Sequence, residues 1–188
     1  MIKVLHTGDI HLDSPFSGLS PDRAELRRAE LRSAFTSMMT YARTGDIDIV
    51  LVTGDLFESR YITRETAELV TGEFSRVGCP VIVSPGNHDP YTHGSIWEKI
   101  KMPDNVKVFS SDVLQCFSFP ELNTDVYGYA FVSGEMTSVP LASASVADRG
   151  RINLICAHAD MTSPLSHSAP LSKDVLASFG ADYAALGH

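Results

Sequence analysis

Residues 48–55 of the chain read D-I-V-L-V-T-G-D, a run of apolar residues that ends in a glycine and an acid. Such a run is typical of a strand that is buried on both faces, as strands of parallel sheets are. Gly54 and Asp55 follow the carboxyl end of that strand, where α/β proteins place their ligand-binding loops. The stretch therefore predicts an α/β fold with a functional loop at Asp55.

Strand and helix signals alternate on both sides of this stretch. Apolar strands are predicted at Ile2–His6 and Val81–Ser84, and helices are predicted at Pro21–Arg43 and Thr63–Val77. This β-α-β-α-β order is typical of a mostly parallel sheet with right-handed crossovers.

The second half of the chain has shorter strand signals and little helix. The predicted strands are Val106–Phe109, Val113–Phe119, Val126–Phe131 and Ile152–Cys156, followed by a helix at residues 173–179 and a last strand at Tyr183–Leu186. This pattern indicates a second, mixed or antiparallel sheet packed on the first. We expect one domain over residues 1–188, with a C-terminal remainder beyond His188 because the chain stops directly after a strand.

Composition narrows the class of protein. The 188 residues carry a net charge of −8, which argues against a free-standing clamp on duplex DNA. The negative net charge does not exclude a nuclease, because bound divalent metals can reverse the local charge of a site. The apolar runs are too short for a membrane span, and the N-terminus does not resemble a signal peptide. The three cysteines are odd in number and far apart in sequence, which indicates free thiols in a reducing compartment. We therefore expect a cytoplasmic protein.

Side chains of the kinds that bind metals follow five of the strand signals. They are Asp9 and His11 after the first strand, Asp55 after the second, Asn87, His88 and Asp89 after the third, His158 after the strand ending at Cys156, and His188 after the last. Carboxylate, imidazole and amide groups without cysteine suit manganese, iron(II) or zinc. Two such ions can clamp the oxygens of a phosphate ester.

Each of these elements also has an ordinary interpretation when it is taken alone. Asp9 and His11 are compatible with a helix cap and a surface histidine, and Gly54-Asp55 is a common turn. A single histidine such as His158 is more often structural than catalytic. The ordered set, with each member after its own strand, is what favours a metal centre.

This ordered set resembles the calcineurin-like metallophosphoesterases almost from end to end. Within that superfamily the details are similar to the DNA-repair nuclease branch, the SbcD/YhaO-like group. The matching stretches are H-T-G-D-I-H-L-D-S-P-F (residues 6–16), G-D-L-F (residues 54–57), P-G-N-H-D-P (residues 85–90) and Y-A-A-L-G-H (residues 183–188).

The resemblance implies a four-layer α/β/β/α sandwich with two central mixed sheets, and two divalent ions, with Mn²⁺ favoured and Fe²⁺ or Zn²⁺ as alternatives. By motif position, Asp9, His11 and Asp55 would hold one metal, and Asp55, Asn87, His158 and His188 the other. A second histidine of the family's G-H-x-H motif, which ligates the first metal, would lie two positions beyond His188.

The resemblance also implies roles in catalysis. His88 would act as general acid, while Asp89 would either orient the His88 ring or cap the loop, and the sequence leaves both roles open. Many repair nucleases of the group carry histidine or aspartate directly after G-D-L-F, where this chain has Glu58. That difference puts exonuclease activity in question but leaves phosphoesterase activity expected.

The expected function is two-metal hydrolysis of phosphodiester bonds, in DNA, by an exo- or endonuclease of the repair type. By resemblance, its partners would be a coiled-coil ATPase and a second copy of the chain, with no membrane. One alternative is a phosphodiesterase or phosphatase acting on small nucleotides or phosphoproteins. Another is a non-catalytic scaffold that docks an ATPase, although such a scaffold would need neither Asp9 nor His88.

Overall fold

Two four-stranded sheets form the centre of the protein, which a computed structural model describes over residues 1–188. The first sheet is parallel throughout, and its strands in spatial order are β1 (Val4–Thr7), β2 (Ile49–Val52), β3 (Val81–Val83) and β4 (Val106–Val108). The second sheet is mixed, and its strands in spatial order are β5 (Gln115–Phe119), β6 (Thr124–Gly128), β7 (Ile152–His158) and β8 (Tyr183–Gly187).

Four helices accompany the sheets, and the sequence predicts three of them within one residue at each end. They are α1 (Pro21–Thr44), α2 (Arg64–Arg76), α3 (Ile96–Lys99) and α4 (Lys173–Phe179). The side chain of Thr63 caps α2 by accepting from Thr66 N–H, and Ser172 caps α4 in the same way. Measured by length and hydropathy, none of these helices could serve as a transmembrane span.

Alternate side chains of the central strands separate the layers. Val50 and Val52 of β2 pack in the core that contains the helix residues Phe35 and Phe74. Their neighbours on β2, Ile49 and Leu51, lie instead in the core between the two sheets, with Val126, Leu154 and Cys156. A third core joins β7 to Phe179 of α4. The predicted order of layers, α/β/β/α, is therefore confirmed.

One strand lies in a different sheet from the one predicted. The sequence pattern places Val106–Phe109 in the second sheet, but β4 pairs in parallel with β3 in the first, with Val81 opposite Val106. The connection over residues 84–105 contains α3 and is long enough for a parallel crossover. The first sheet is therefore not mixed, and the prediction of two mixed sheets is wrong for that sheet.

Asp13 links the loop after β1 to helices α1 and α2. Its carboxylate is buried and accepts hydrogen bonds from the Arg32 guanidinium at 3.1 Å, the Thr63 N–H at 2.8 Å and the Thr66 hydroxyl at 2.9 Å. A buried carboxylate with several charge-assisted partners is costly to remove, since the donors then lose their acceptor. Asp13 therefore fixes the position of the loop that carries Asp9 and His11.

We predict that Asp13→Ala lowers the free energy of unfolding by about 3 kcal/mol, because the Thr63 N–H and the Thr66 hydroxyl lose their acceptor and Arg32 keeps only its contact with Glu25. Urea denaturation followed by circular dichroism measures the change. Asp104→Ala, at an exposed position, serves as the control and should change stability by less than about 0.5 kcal/mol. Equal stability of the two variants would contradict this role for Asp13.

Candidate metal centre

The carboxyl ends of strands from both sheets bring most of the predicted ligands to one place. Three groups of side chains have potential ligand atoms within 4.8 Å of one another. These groups are Asp9, His11 and Asp55; Asp55, His158 and His188; and His11, Glu58 and His88. Asp55 belongs to the first two groups, and His11 belongs to the first and the third.

The loops after β1 and β2 hold their side chains in an uncommon backbone conformation. Asp9, His11 and Asp55 all have positive φ, at 53°, 50° and 51°. This region is unfavourable for residues other than glycine, so the surrounding structure must impose it. Hydrogen bonds from Asp9 N–H to the Gly54 carbonyl (3.0 Å) and from His11 N–H to the Asp55 carbonyl (2.9 Å) do so.

Two glycines of the predicted motifs leave space for the ligands. Gly54 has a φ of +88°, and a side chain there would collide with the ring of His158. A side chain at Gly86 would collide with the carboxylate of Asp55. The glycines of G-D and G-N-H-D are therefore needed because the two loops and His158 approach one another so closely.

His158 is fully buried, and its contacts indicate a cation. Its Nδ1 lies 2.9 Å from the Thr53 carbonyl oxygen, which can only accept, so Nδ1 carries the proton. In a neutral ring Nε2 is then an electron-pair donor, yet it faces Asn87 Oδ1 at 2.9 Å and Asp55 Oδ2 at 3.3 Å. With the Asn87 amide oxygen turned towards the ring, three electron-pair donors converge there, and an added proton on the ring or a metal ion would stabilise them.

The pKa shifts of this pair have the same origin. Burial lowers the pKa of His158, but the hydrogen bond and charge of Asp55 outweigh it, and the pKa lies above its usual value. Burial raises the pKa of Asp55, but the hydrogen bond and charge of His158 outweigh that effect, and its pKa is lowered. The site thus favours a positive charge beside Asp55, and a divalent ion would supply one in place of the proton. The donor set therefore fits a divalent metal.

The other side of the centre is more open. Asp9 and His188 are exposed, and the backbone N–H of His188 donates to Asp9 Oδ2 at 2.9 Å. The rings of His158 and His188 are 5.1 Å apart, edge to face. All six predicted metal ligands therefore lie at one edge of the paired sheets. Asn87 lies outside the three groups and contacts the centre through His158.

Asp89 lies beneath the loops. Its carboxylate accepts hydrogen bonds from the backbone N–H groups of Gly86 (2.7 Å), Asp55 (3.1 Å), Leu56 (2.9 Å) and Phe57 (3.2 Å). Burial and the charge of Asp55 raise the pKa of Asp89 to about 7, and the backbone N–H groups of Gly86 and Phe57 oppose that rise. None of its hydrogen bonds reaches a histidine ring. Of the two roles that the sequence leaves open for Asp89, these contacts match the one that holds the loops together.

The ring of His88 has a partner that the sequence does not predict. Its Nδ1 lies 3.0 Å from Glu58 Oε2, and its backbone N–H donates to Asp55 Oδ1 at 2.8 Å. The same Glu58 oxygen is 3.6 Å from His11 Nδ1. In the sequence, Glu58 stands out only as a departure from the family pattern. Its place three residues after Asp55, on the same loop, is the signal that could have identified it.

The family profile for calcineurin-like phosphoesterases matches residues 2–188. The chain is similar to the metallophosphoesterase YhaO of Bacillus subtilis (strain 168), with 29% identity over 98% of this chain and 47% of that protein. It is 26% identical to the DNA double-strand break repair protein Mre11 of Aeropyrum pernix, over 100% of this chain and 49% of that protein. A subunit of the nuclease SbcCD from Escherichia coli (strain K12) is 29% identical over 47% of this chain and 21% of that protein. The chain thus spans about half the length of the first two relatives.

We predict that Gly86→Ala weakens Mn²⁺ binding and lowers the free energy of unfolding by about 1–3 kcal/mol, because the new methyl group displaces the Asp55 carboxylate. Isothermal titration calorimetry measures the affinity for Mn²⁺, and urea denaturation measures the stability. Gly134→Ala is the control, since a methyl group there meets nothing within 4 Å. Unchanged metal affinity in Gly86→Ala would contradict the close approach of the two loops.

Proposed function

Because the chain belongs to the calcineurin-like phosphoesterase family, we propose that it is a two-metal hydrolase of phosphodiester bonds in DNA. The observation that carries the proposal is the convergence of Asn87, Asp55 and His158 at one point, where a neutral imidazole leaves three electron-pair donors without a proton. This arrangement of side chains suits the binding of a cation better than a purely structural role. An anionic diester is the substrate that a cationic centre attracts.

Two groups of residues would hold the ions. Asp9, His11 and Asp55 would hold one, and Asp55, Asn87, His158 and His188 would hold the other. The two groups that share Asp55 support this assignment. Manganese is the favoured ion, by resemblance rather than by any contact. When bound, two divalent ions would supply Lewis acidity and concentrated positive charge at the phosphate.

His88 is the proposed general acid. Because Nδ1 of its ring pairs with Glu58, Nε2 is left to give its proton to the leaving oxygen of the diester. The side chain is 44% exposed, so a substrate can reach it. Glu58, at 16% exposure, would hold the ring in place. Asp89, the second candidate for a catalytic role, is proposed to act by positioning the loops of Asp55 and His88.

DNA is the proposed substrate because two relatives are named for it, one as a DNA double-strand break repair protein and one as part of a nuclease. The net charge of −8 suggests that a partner supplies basic surface. By family resemblance we propose a coiled-coil ATPase as that partner, a homodimer as the assembly and the cytoplasm as the location.

A small-nucleotide phosphodiesterase is the second candidate. The acidic surface and the carboxylate of Glu58 beside His88 both favour a substrate that makes fewer phosphate contacts than duplex DNA. Turnover of a chromogenic diester together with intact labelled DNA would favour this candidate over the nuclease.

We predict that His88→Ala lowers turnover by roughly 10²–10⁴-fold, which is the usual effect of removing a general acid. The assay measures Mn²⁺-dependent hydrolysis of bis(p-nitrophenyl) phosphate and of end-labelled DNA. Mn²⁺ affinity, measured by calorimetry, should stay near that of the unaltered protein, because the His88 ring is not a proposed ligand. His93→Ala, in an exposed loop, is the matched control. Loss of metal in His88→Ala would show that its role is that of a ligand.

A further inference from the structure

A cavity of 450 Å³ adjoins the metal centre on the side of His88. Its lining residues are Pro15, Glu58, Arg60, Tyr61, Asn87 and His88. Its volume lies in the range of small-molecule sites, which is large enough for one nucleotide. Two of these residues, Asn87 and His88, belong to the proposed catalytic centre. A ligand in the cavity would therefore contact the group next to the reacting phosphate.

The cavity contains a cation that the protein itself does not neutralise. Arg60 is exposed and forms no salt bridge. Glu58 is the only acid in the lining, and its carboxylate is directed to the rings of His88 and His11. The guanidinium of Arg60 is therefore available for an external anion, and its planar fork of donors suits a phosphate.

An aromatic side chain lies beside this cation. Tyr61 is 53% exposed, and its hydroxyl makes no hydrogen bond within the protein. Pro15 lines the same cavity as Tyr61. An exposed ring at the wall of a cavity offers a flat apolar face, and nucleobases stack on such faces with little regard to their identity.

The backbone at Arg60 and Tyr61 is fixed relative to that of His88. The N–H of Tyr61 donates to the Glu58 carbonyl at 2.9 Å, which closes a turn over residues 58–61. The N–H of Ser59 donates to the His88 carbonyl at 3.3 Å, which ties that turn to the loop of the proposed acid. A group held by the turn is thus held at a set position from the scissile bond.

The cavity continues along the surface. A second cavity, of 680 Å³, shares Pro15 and Glu58 with the first and is otherwise lined by residues 14–19 and Arg27. Because Pro15 and Glu58 line both, the two cavities are adjacent. This arrangement suits an extended polymer better than a single compact nucleotide.

We infer that Arg60 and Tyr61 form a subsite for the nucleotide next to the scissile bond of a polynucleotide strand, with Arg60 binding its phosphate and Tyr61 stacking on its base. This inference rests on the proposed function, since it needs a diester at the adjoining centre. It adds a reason for preferring a nucleic acid, because a phosphoprotein would present neither a second phosphate nor a base.

The test compares kcat/KM for two dinucleotides, TpT and pTpT, which differ only in the additional phosphate, with the corresponding abasic dinucleotide, which has no ring to stack, as the reference diester. Arg60→Gln should reduce kcat/KM for pTpT by roughly 5- to 100-fold more than for TpT, with the loss in KM. Tyr61→Ala should reduce kcat/KM for both dinucleotides relative to the reference diester by a similar factor, and Tyr61→Phe should restore it. The same measurements on the ribose dinucleotides identify the type of polynucleotide. A loss of kcat/KM confined to the deoxyribose dinucleotides indicates DNA, and a loss on both the ribose and the deoxyribose dinucleotides indicates that either polynucleotide binds.

Arg64→Gln is the matched control, because Arg64 is exposed and already paired with Glu68. It should leave all three substrates unaffected. Equal losses on all three substrates in Arg60→Gln and Tyr61→Ala, or no loss on any, would overturn the subsite. If no diester is hydrolysed at all, the proposed function fails instead. The subsite is then tested by the fluorescence anisotropy of labelled hexathymidylate, where Arg60→Gln must weaken binding and Arg64→Gln must not.

Discussion

The buried carboxylate of Asp55 is the contact on which the rest of the centre depends. It is 2% exposed, it faces Nε2 of His158 and of His11, and it accepts the backbone N–H of His88. A carboxylate in that position is stable only beside positive charge, because burial alone would neutralise it. The polar groups around Asp55 and the glycines that let them approach follow from that requirement.

The fold meets this requirement by aligning strand ends from two sheets. Parallel pairing places the ends of β1, β2 and β3 side by side, and β7 and β8 bring His158 and His188 from the second sheet. Asp89 then binds four backbone N–H groups of the loops around Asp55. The uncommon backbone conformation of the ligand loops is thus maintained by contacts outside the ligands themselves.

Much of this architecture was predictable from local sequence signals. The boundaries of α1 and α4, the buried strands of the first sheet and the gathering of ligands at strand ends all follow from periodicity, caps and strand order. The sheet that contains β4 was not predictable, because the sequence of a short apolar strand does not indicate which strand it pairs with. The Glu58–His88 pair and the contacts of Asp89 with the backbone of residues 55–57 depend on loops more than 25 residues apart in sequence, and only the folded chain brings these together.

We propose that Asp55 is shared by two divalent ions. Isothermal titration calorimetry with Mn²⁺, together with metal content after dialysis, tests it most directly in the unaltered protein and in Asp55→Asn. We expect two ions per chain in the unaltered protein and the loss of both in Asp55→Asn, with circular dichroism showing that the variant is folded. One ion retained at normal affinity in Asp55→Asn, or no ion bound by the unaltered protein, would contradict it.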